Sequence, residues 1–122
     1  WCEHNGVQIL CYGVLAGGFL TDRWLGLPDP GFEFENRSLI KYRLIIEDFG
    51  GWELFQSLLK VLNGIGREHG APLSAIASAY MLEQPQVAAV IIGARTAANI
   101  DQTLASLKVS LSEANRAAIK AV

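Results

Sequence analysis

Histidine, methionine and cysteine are scarce in this chain of 122 residues, which carries two, one and two of them. His4 and His69 are too few to build a Ser/His/Asp or Cys/His constellation, and both read as surface residues. Cys2, Glu3 and His4 lack the ligand number and spacing of a structural zinc site, so no metal centre is expected. Two cysteines do not make a disulfide framework. A reducing, cytoplasmic setting is expected, with Cys11 a small core residue and Cys2 unremarkable. No apolar run approaches the roughly 20 residues of a membrane span, and nothing resembles a signal peptide. Ten basic and 12 acidic residues give a net charge of −2 with no basic cluster. Nucleic acid and anionic membranes are therefore poor main partners. A Gly-Lys-Ser/Thr loop is absent, as is the G-x-G-x-x-G dinucleotide pattern.

Apolar residues, by contrast, are plentiful. They make up 51% of the chain, with a mean hydropathy of +0.26. A packed core is expected and disorder is not. The length suits one small domain, yet so apolar a composition raises the question of what covers its surface. Trp1-Cys2-Glu3-His4-Asn5-Gly6 has no initiator methionine and reads as the last turn of a helix closing at Gly6. The expectation is a piece of a longer chain.

Residues 87–107 organise the reading. Val87-Ala88-Ala89-Val90-Ile91-Ile92 is an unbroken, β-branched apolar run that suits a strand buried on both faces. Gly93 ends it, and Ala94-Arg95-Thr96 leads into a helical pattern with Ile100, Leu104 and Leu107 on one face. A buried strand, a glycine turn with an arginine and a helix start make an anion-binding device, with Thr96 as N-cap. An ordinary strand–turn–helix connection accounts for the same residues equally well. An arginine at a helix N-terminus opposes the dipole, so a bound anion explains Arg95 better than helix stability does.

Upstream, Val7-Gln8-Ile9-Leu10-Cys11-Tyr12 reads as a first strand, followed by Gly13, Gly17 and Gly18 within six positions. Such a loop permits tight turns and close approach of backbone to a ligand. Two prolines and a glycine at 28–31 mark a loop through Asn36, and 38–48 then suits a short helix. From 52 to 69 the helical pattern is firm. Phe55, Leu58, Leu59, Leu62 and Ile65 recur on one side, and Gln56, Lys60, Asn63 and Arg67 take the other. Gly70 and Pro72 stop it. A helix from about Ser74 to Gln84, with Ile76, Ala77, Tyr80 and Met81 inward, ends before Pro85. Ser112 caps a last helix. Two doubly buried strands imply a parallel α/β sheet under helices, and two strands cannot complete one. Their neighbours are expected from further sequence or from another chain, with self-association through the exposed sheet edges as one outcome.

Two segments carry a family resemblance. Tyr12-Gly13-Val14-Leu15-Ala16-Gly17-Gly18-Phe19-Leu20-Thr21 resembles the seventh-strand segment of aldo/keto reductases, commonly Tyr-Ser-Pro-Leu-x-x-Gly-x-Leu-Thr. Ile91-Ile92-Gly93-Ala94-Arg95-Thr96 resembles their eighth-strand Ile-Pro-Gly-Ala-Arg-Thr motif, and 75–87 the helix before it. The resemblance covers essentially residues 1–122, in order. It implies the C-terminal fragment of a (β/α)8 TIM barrel: two parallel strands, the rest mostly helical, within one incomplete domain.

The family reduces aldehydes or ketones with NADPH. By resemblance, Tyr12 stacks on the nicotinamide, and Gly13, Leu15 and Gly17 follow the pyrophosphate. Gly93, Ala94, Arg95 and Thr96 hold the adenosine 2′-phosphate, with Asn99 at a nearby position that often carries Arg or Gln. Gln102-Thr103 stand where the family usually has Glu-Asn near the adenine, and Val14 and Ile92 replace common prolines. The family's catalytic Tyr, Lys, Asp and His would lie upstream of Trp1, so the chain alone is expected to be inactive. A nucleotide-binding regulatory subunit, like the cytoplasmic β subunits of potassium channels, is one alternative. A truncated structural partner of a full-length subunit is another. The 27–36 loop, with Trp24, Phe32 and Phe34, is a candidate aromatic wall for a small carbonyl substrate.

Overall fold

Both expected strands form, and they pair with each other. In the computed structural model, which describes residues 1–93, 97 and 100–122, β1 (Ile9–Tyr12) and β2 (Val87–Ile91) make a parallel two-stranded sheet. Ile9 lies opposite Val87 and Tyr12 opposite Ile91, with an irregularity between Ile9 and Leu10. The strand starts later than its apolar pattern predicts. Helix α1 (Cys2–Asn5) closes at left-handed Gly6, and the Val7 N–H bonds back to the Cys2 carbonyl at 2.9 Å. That donor serves the helix stop and is lost to the ladder.

The crossover between the strands is helical. Asn36 caps α2 (Arg37–Phe49) by accepting from the Ser38 N–H at 2.8 Å. Gly50 separates it from α3 (Gly51–His69), which ends at left-handed Gly70. Helix α4 (Leu73–Leu82) stops two residues short of the expected Gln84, and it is buried nearly all round rather than on one face. It packs on α3 at one side and on β2 and the following segment at the other, which is why its sequence shows so little polarity. After β2 come α5 (Ile100–Leu104), a 3₁₀ turn at Ala105–Lys108 and α6 (Glu113–Lys120). Ser112 and Asn115 form a reciprocal capping box at the start of α6. Among the described residues no helix is long and apolar enough to cross a membrane.

The core lies beneath α3, away from the sheet. Phe19, fully buried, is ringed by Trp24, Phe34, Trp52 and Phe55 with centroids 4.9 to 6.5 Å away, mostly edge-on. Gln56, which the helical pattern puts on the solvent side, is buried instead. Its amide donates to the Trp24 carbonyl and accepts from the Gly26 N–H, both at 2.8 Å. A polar residue can take an inward position when both ends of its amide are satisfied. The sheet is the reverse case. Leu10, Tyr12 and Ile91 are 60, 73 and 56% exposed, and Cys11 is only half-buried. Ile100, Leu104 and Leu107 are likewise exposed, not packed inward.

The 27–36 loop is fastened to α2 and α3. Trp52 Nε1 donates to the Leu27 carbonyl at 2.9 Å. Arg43, 2% exposed, grips Asp29 with two nitrogens at 3.0 and 2.5 Å and Glu47 with the third at 2.7 Å. Its guanidinium lies 4.6 Å from the Phe32 ring centroid and 5.7 Å from that of Trp52. Asp29 also accepts from the Gly31 N–H at 2.9 Å, so one carboxylate orders the turn and ties it to the helix. The Arg43 hydrogen bonds hold the Asp29 carboxyl below the ordinary carboxylate range.

Two outcomes follow for stability. A Cβ at buried Gly66 would meet the Ala71 carbonyl oxygen at 2.6 Å, whereas exposed Gly64 has open space. By chemical denaturation of the full-length protein, Gly64→Ala should stabilise by up to about 1 kcal/mol, and Gly66→Ala should destabilise by about 1–3 kcal/mol. Because the Asp29 pKa is lowered on folding, its contribution is present above the unfolded Asp value of about 4 and is lost as the pH falls through the folded one. Asp29→Asn should therefore flatten the acid limb of a stability–pH profile, and an unchanged limb would contradict the coupling.

Candidate functional site

Parallel pairing with Tyr12 opposite Ile91 ends both strands at the same level. The chain leaves β1 and β2 from one end of the sheet, into the glycine loop and into the Ile92-Gly93 turn. In parallel α/β sheets that end is where ligand sites are built.

The glycine loop is a tight run of turns. Ala16 N–H bonds to the Gly13 carbonyl and Gly18 N–H to the Leu15 carbonyl, both at 2.8 Å. Gly13, Ala16, Gly17 and Gly18 all have positive φ, at 71, 48, 65 and 101°. Ala16 is strained there, of the order of 1 kcal/mol or more, and such strain gathers at functional loops. A further constraint comes from α2. A side chain at Gly17 would meet the Tyr42 ring at 2.7 Å, and one at Gly13 would collide with the Tyr42 hydroxyl. These two glycines are needed for packing as well as for their dihedrals. Leu15 and Tyr42 both pack against the core, and Tyr12 stands exposed at the strand end. Lys41 Nζ lies 5.8 and 5.2 Å from the Tyr12 and Tyr42 ring centroids.

Beside the loop is a polar cleft of about 250 Å³, lined by Gly17, Gly18, Arg23, Trp24, Phe34, Asn36 and Leu39. This volume is below that of a pocket for a whole drug-sized ligand, so it suits one polar portion of a longer molecule. Arg23 is exposed and packs its guanidinium 5.3 Å from the Trp24 ring centroid, on the cleft wall. Positive charge, small backbone-exposing glycines and the Asn36 amide make the lining suited to an anion. A larger groove of about 400 Å³ is lined mainly by Leu82, Ala88, Ala89, Val90, Leu104 and Leu107, and its apolar character suits packing, not phosphate.

The residues expected from the sequence divide three ways. Tyr12, Gly13, Leu15 and Gly17 lie together at the β1 end, and Gly93 leaves the neighbouring strand, exposed. Ala94, Arg95, Thr96 and Asn99 lie outside the described residues. Of the aromatics expected near the 27–36 loop, Trp24 and Phe34 pack on Phe19 and line the cleft, and Phe32 covers Arg43. Sequence reasoning missed Arg23, Arg43 and Tyr42. Arg23 was findable, two residues beyond the glycine-loop segment, but nothing local distinguishes Tyr42 or Arg43 from other helix residues.

The family model of the aldo/keto reductase family matches residues 1–122. Protein tas of Escherichia coli (strain K12) is 31% identical over 120 residues, 98% of this chain and 33% of that protein. Protein tas of Shigella flexneri matches to the same extent. Flagellar radial spoke protein 5 of Chlamydomonas reinhardtii is 27% identical over 85 residues, 67% of this chain and 16% of its own length. The chain thus spans about a third of the length of the Protein tas sequences it matches. A parallel strand pair, a strained glycine loop at its C-terminal end and a match along every residue lead to one assignment: the chain belongs to the aldo/keto reductase family.

Proposed function

We propose that this chain is the nucleotide-holding part of an NADPH-dependent reductase of aldehydes or ketones, within a cytoplasmic (β/α)8 barrel whose other strands cover the free edges of β1 and β2. The observation that carries the reading is the cleft lined by Gly17, Gly18, Arg23 and Asn36, beside the glycine loop that follows β1. Its donor set fits a pyrophosphate. Gly13, Leu15 and Gly17 shape the backbone along that group, and Arg23 balances its charge. Tyr12, bare at the strand end, offers a ring face to a nicotinamide. Gly93, Ala94, Arg95, Thr96 and Asn99 follow the neighbouring strand and would hold the 2′-phosphate. When bound, the cofactor supplies the hydride. The groups that protonate the carbonyl oxygen belong to other strands, and the isolated chain would not turn over.

A second reading keeps nucleotide binding without catalysis. A segment similar to this one occurs in a protein named for the flagellar radial spoke, so the scaffold is not tied to an enzyme's name.

The two arginines separate the parts of the proposed site. In the full-length protein, Arg95→Ala should raise KM for NADPH more than for NADH, and Arg23→Ala should raise both alike, each by roughly tenfold for a lost charged hydrogen bond. Equal effects of Arg95→Ala on both cofactors would remove the 2′-phosphate assignment. The purified 122-residue chain should show no carbonyl-dependent loss of NADPH absorbance.

A further inference from the structure

We propose that Arg43 is the positioning residue of the nucleotide cleft. Through Asp29 and Phe32 it fixes the loop so that Phe34 and Asn36 line the cleft together with Gly17, Gly18 and Arg23. The inference rests on the cleft being the nucleotide site proposed above. Arg43 itself does not line the cleft.

The loop needs such an anchor. Residues 25–36 form no helix or strand, and a connection that long without structure of its own is commonly functional. Its near end is held by Trp52 and Gln56, and its far end becomes the α2 cap at Asn36. Among the described residues no backbone–backbone hydrogen bond is made between Pro28 and Glu35. The fixed points there are the Arg43 grip on Asp29, the guanidinium under Phe32, and Phe34 set edge-on to Phe19 at 5.7 Å. Two of these three belong to Arg43. The buried guanidinium depends on Asp29 for two of its three carboxylate contacts, and without it only Glu47 remains. The loop is thereby held in one position instead of several, and the wall of the cleft is set before a ligand arrives.

The test is NADPH binding by the full-length protein, measured by calorimetry, with Arg43→Lys and Asp29→Asn. Lysine keeps the charge without the two-pronged geometry, and asparagine keeps the size without the charge. Both variants should weaken NADPH about tenfold or more, as expected if the closed loop falls to a tenth of the population. Glu47→Gln, which removes the Arg43 partner that is not on the loop, should change affinity less than about threefold on the same arithmetic. Protease cleavage between residues 28 and 35 should accelerate in the two variants and be suppressed again by saturating NADPH, an effect that general destabilisation would not confine to this loop. If Arg43→Lys fails to fold, Asp29→Asn decides. Tight wild-type binding that is unchanged in Asp29→Asn overturns this inference alone. A wild type that binds no NADPH overturns the parent reading, and this one with it.

Discussion

Among the described residues the two parallel strands pair only with each other, which leaves two open sheet edges, and most other features of the chain answer to that arrangement. Parallel pairing needs a crossover that runs back along the sheet, and α2, α3 and α4 supply it between residues 37 and 82. The same pairing sends both outgoing connections from one end. The glycine loop and the connection that follows β2, far apart in sequence, begin at adjacent points because of it. Antiparallel strands would have put them at opposite ends.

The crossover also solves the problem of a long loop. The centre of the structure is the aromatic packing of Phe19 against Trp24, Phe34, Trp52 and Phe55, not the sheet. Phe19 directly follows the glycines, Trp24 precedes the long loop and Phe34 lies within it. Burying these rings therefore pulls the site's backbone onto α3. Gln56, Trp52 and Arg43 then hold by hydrogen bonds the stretch that has few of its own. Packing positions the loop coarsely; the polar contacts choose its conformation.

Much of this was legible in the sequence. The long α3 showed its period because its buried residues fall on one side, and Gly6, Gly70 and Ser112 marked their helix ends by chemistry local to those residues. The two strands were legible as apolar runs. The failures have a common physical origin. Gln56 and Arg43 are polar side chains turned inward to partners 30 and 14 positions away, and a periodicity that sorts polar from apolar must place them outside. Helix α4 formed as expected, but its single inward face did not: it is buried almost all round, so no one side could be told from the sequence. In the site, the glycines announced the loop, but the ring of Tyr42 that makes Gly13 and Gly17 necessary comes from 25 to 29 positions on.

The bare sheet links composition to the proposed barrel without appeal to motifs. Residues that face solvent in this chain include Leu10, Tyr12 and Ile91 on the strands, whose apolar runs suit burial on both faces, and Ile100, Leu104 and Leu107, which share one apolar face after them. Exposed apolar side chains scattered singly need no explanation, but a contiguous set around an open strand pair marks a surface made for contact. The proposed cover is the rest of a barrel in the same protein. A closed barrel pairs both edges at once, whereas two copies of this chain joined through one edge would leave the other open. Closure would also place further strand ends beside Tyr12 and Gly93, at the level where the cofactor would meet its substrate. In the proposed barrel, the sheet that looks least finished would therefore be the part that ties the cleft to the chemistry.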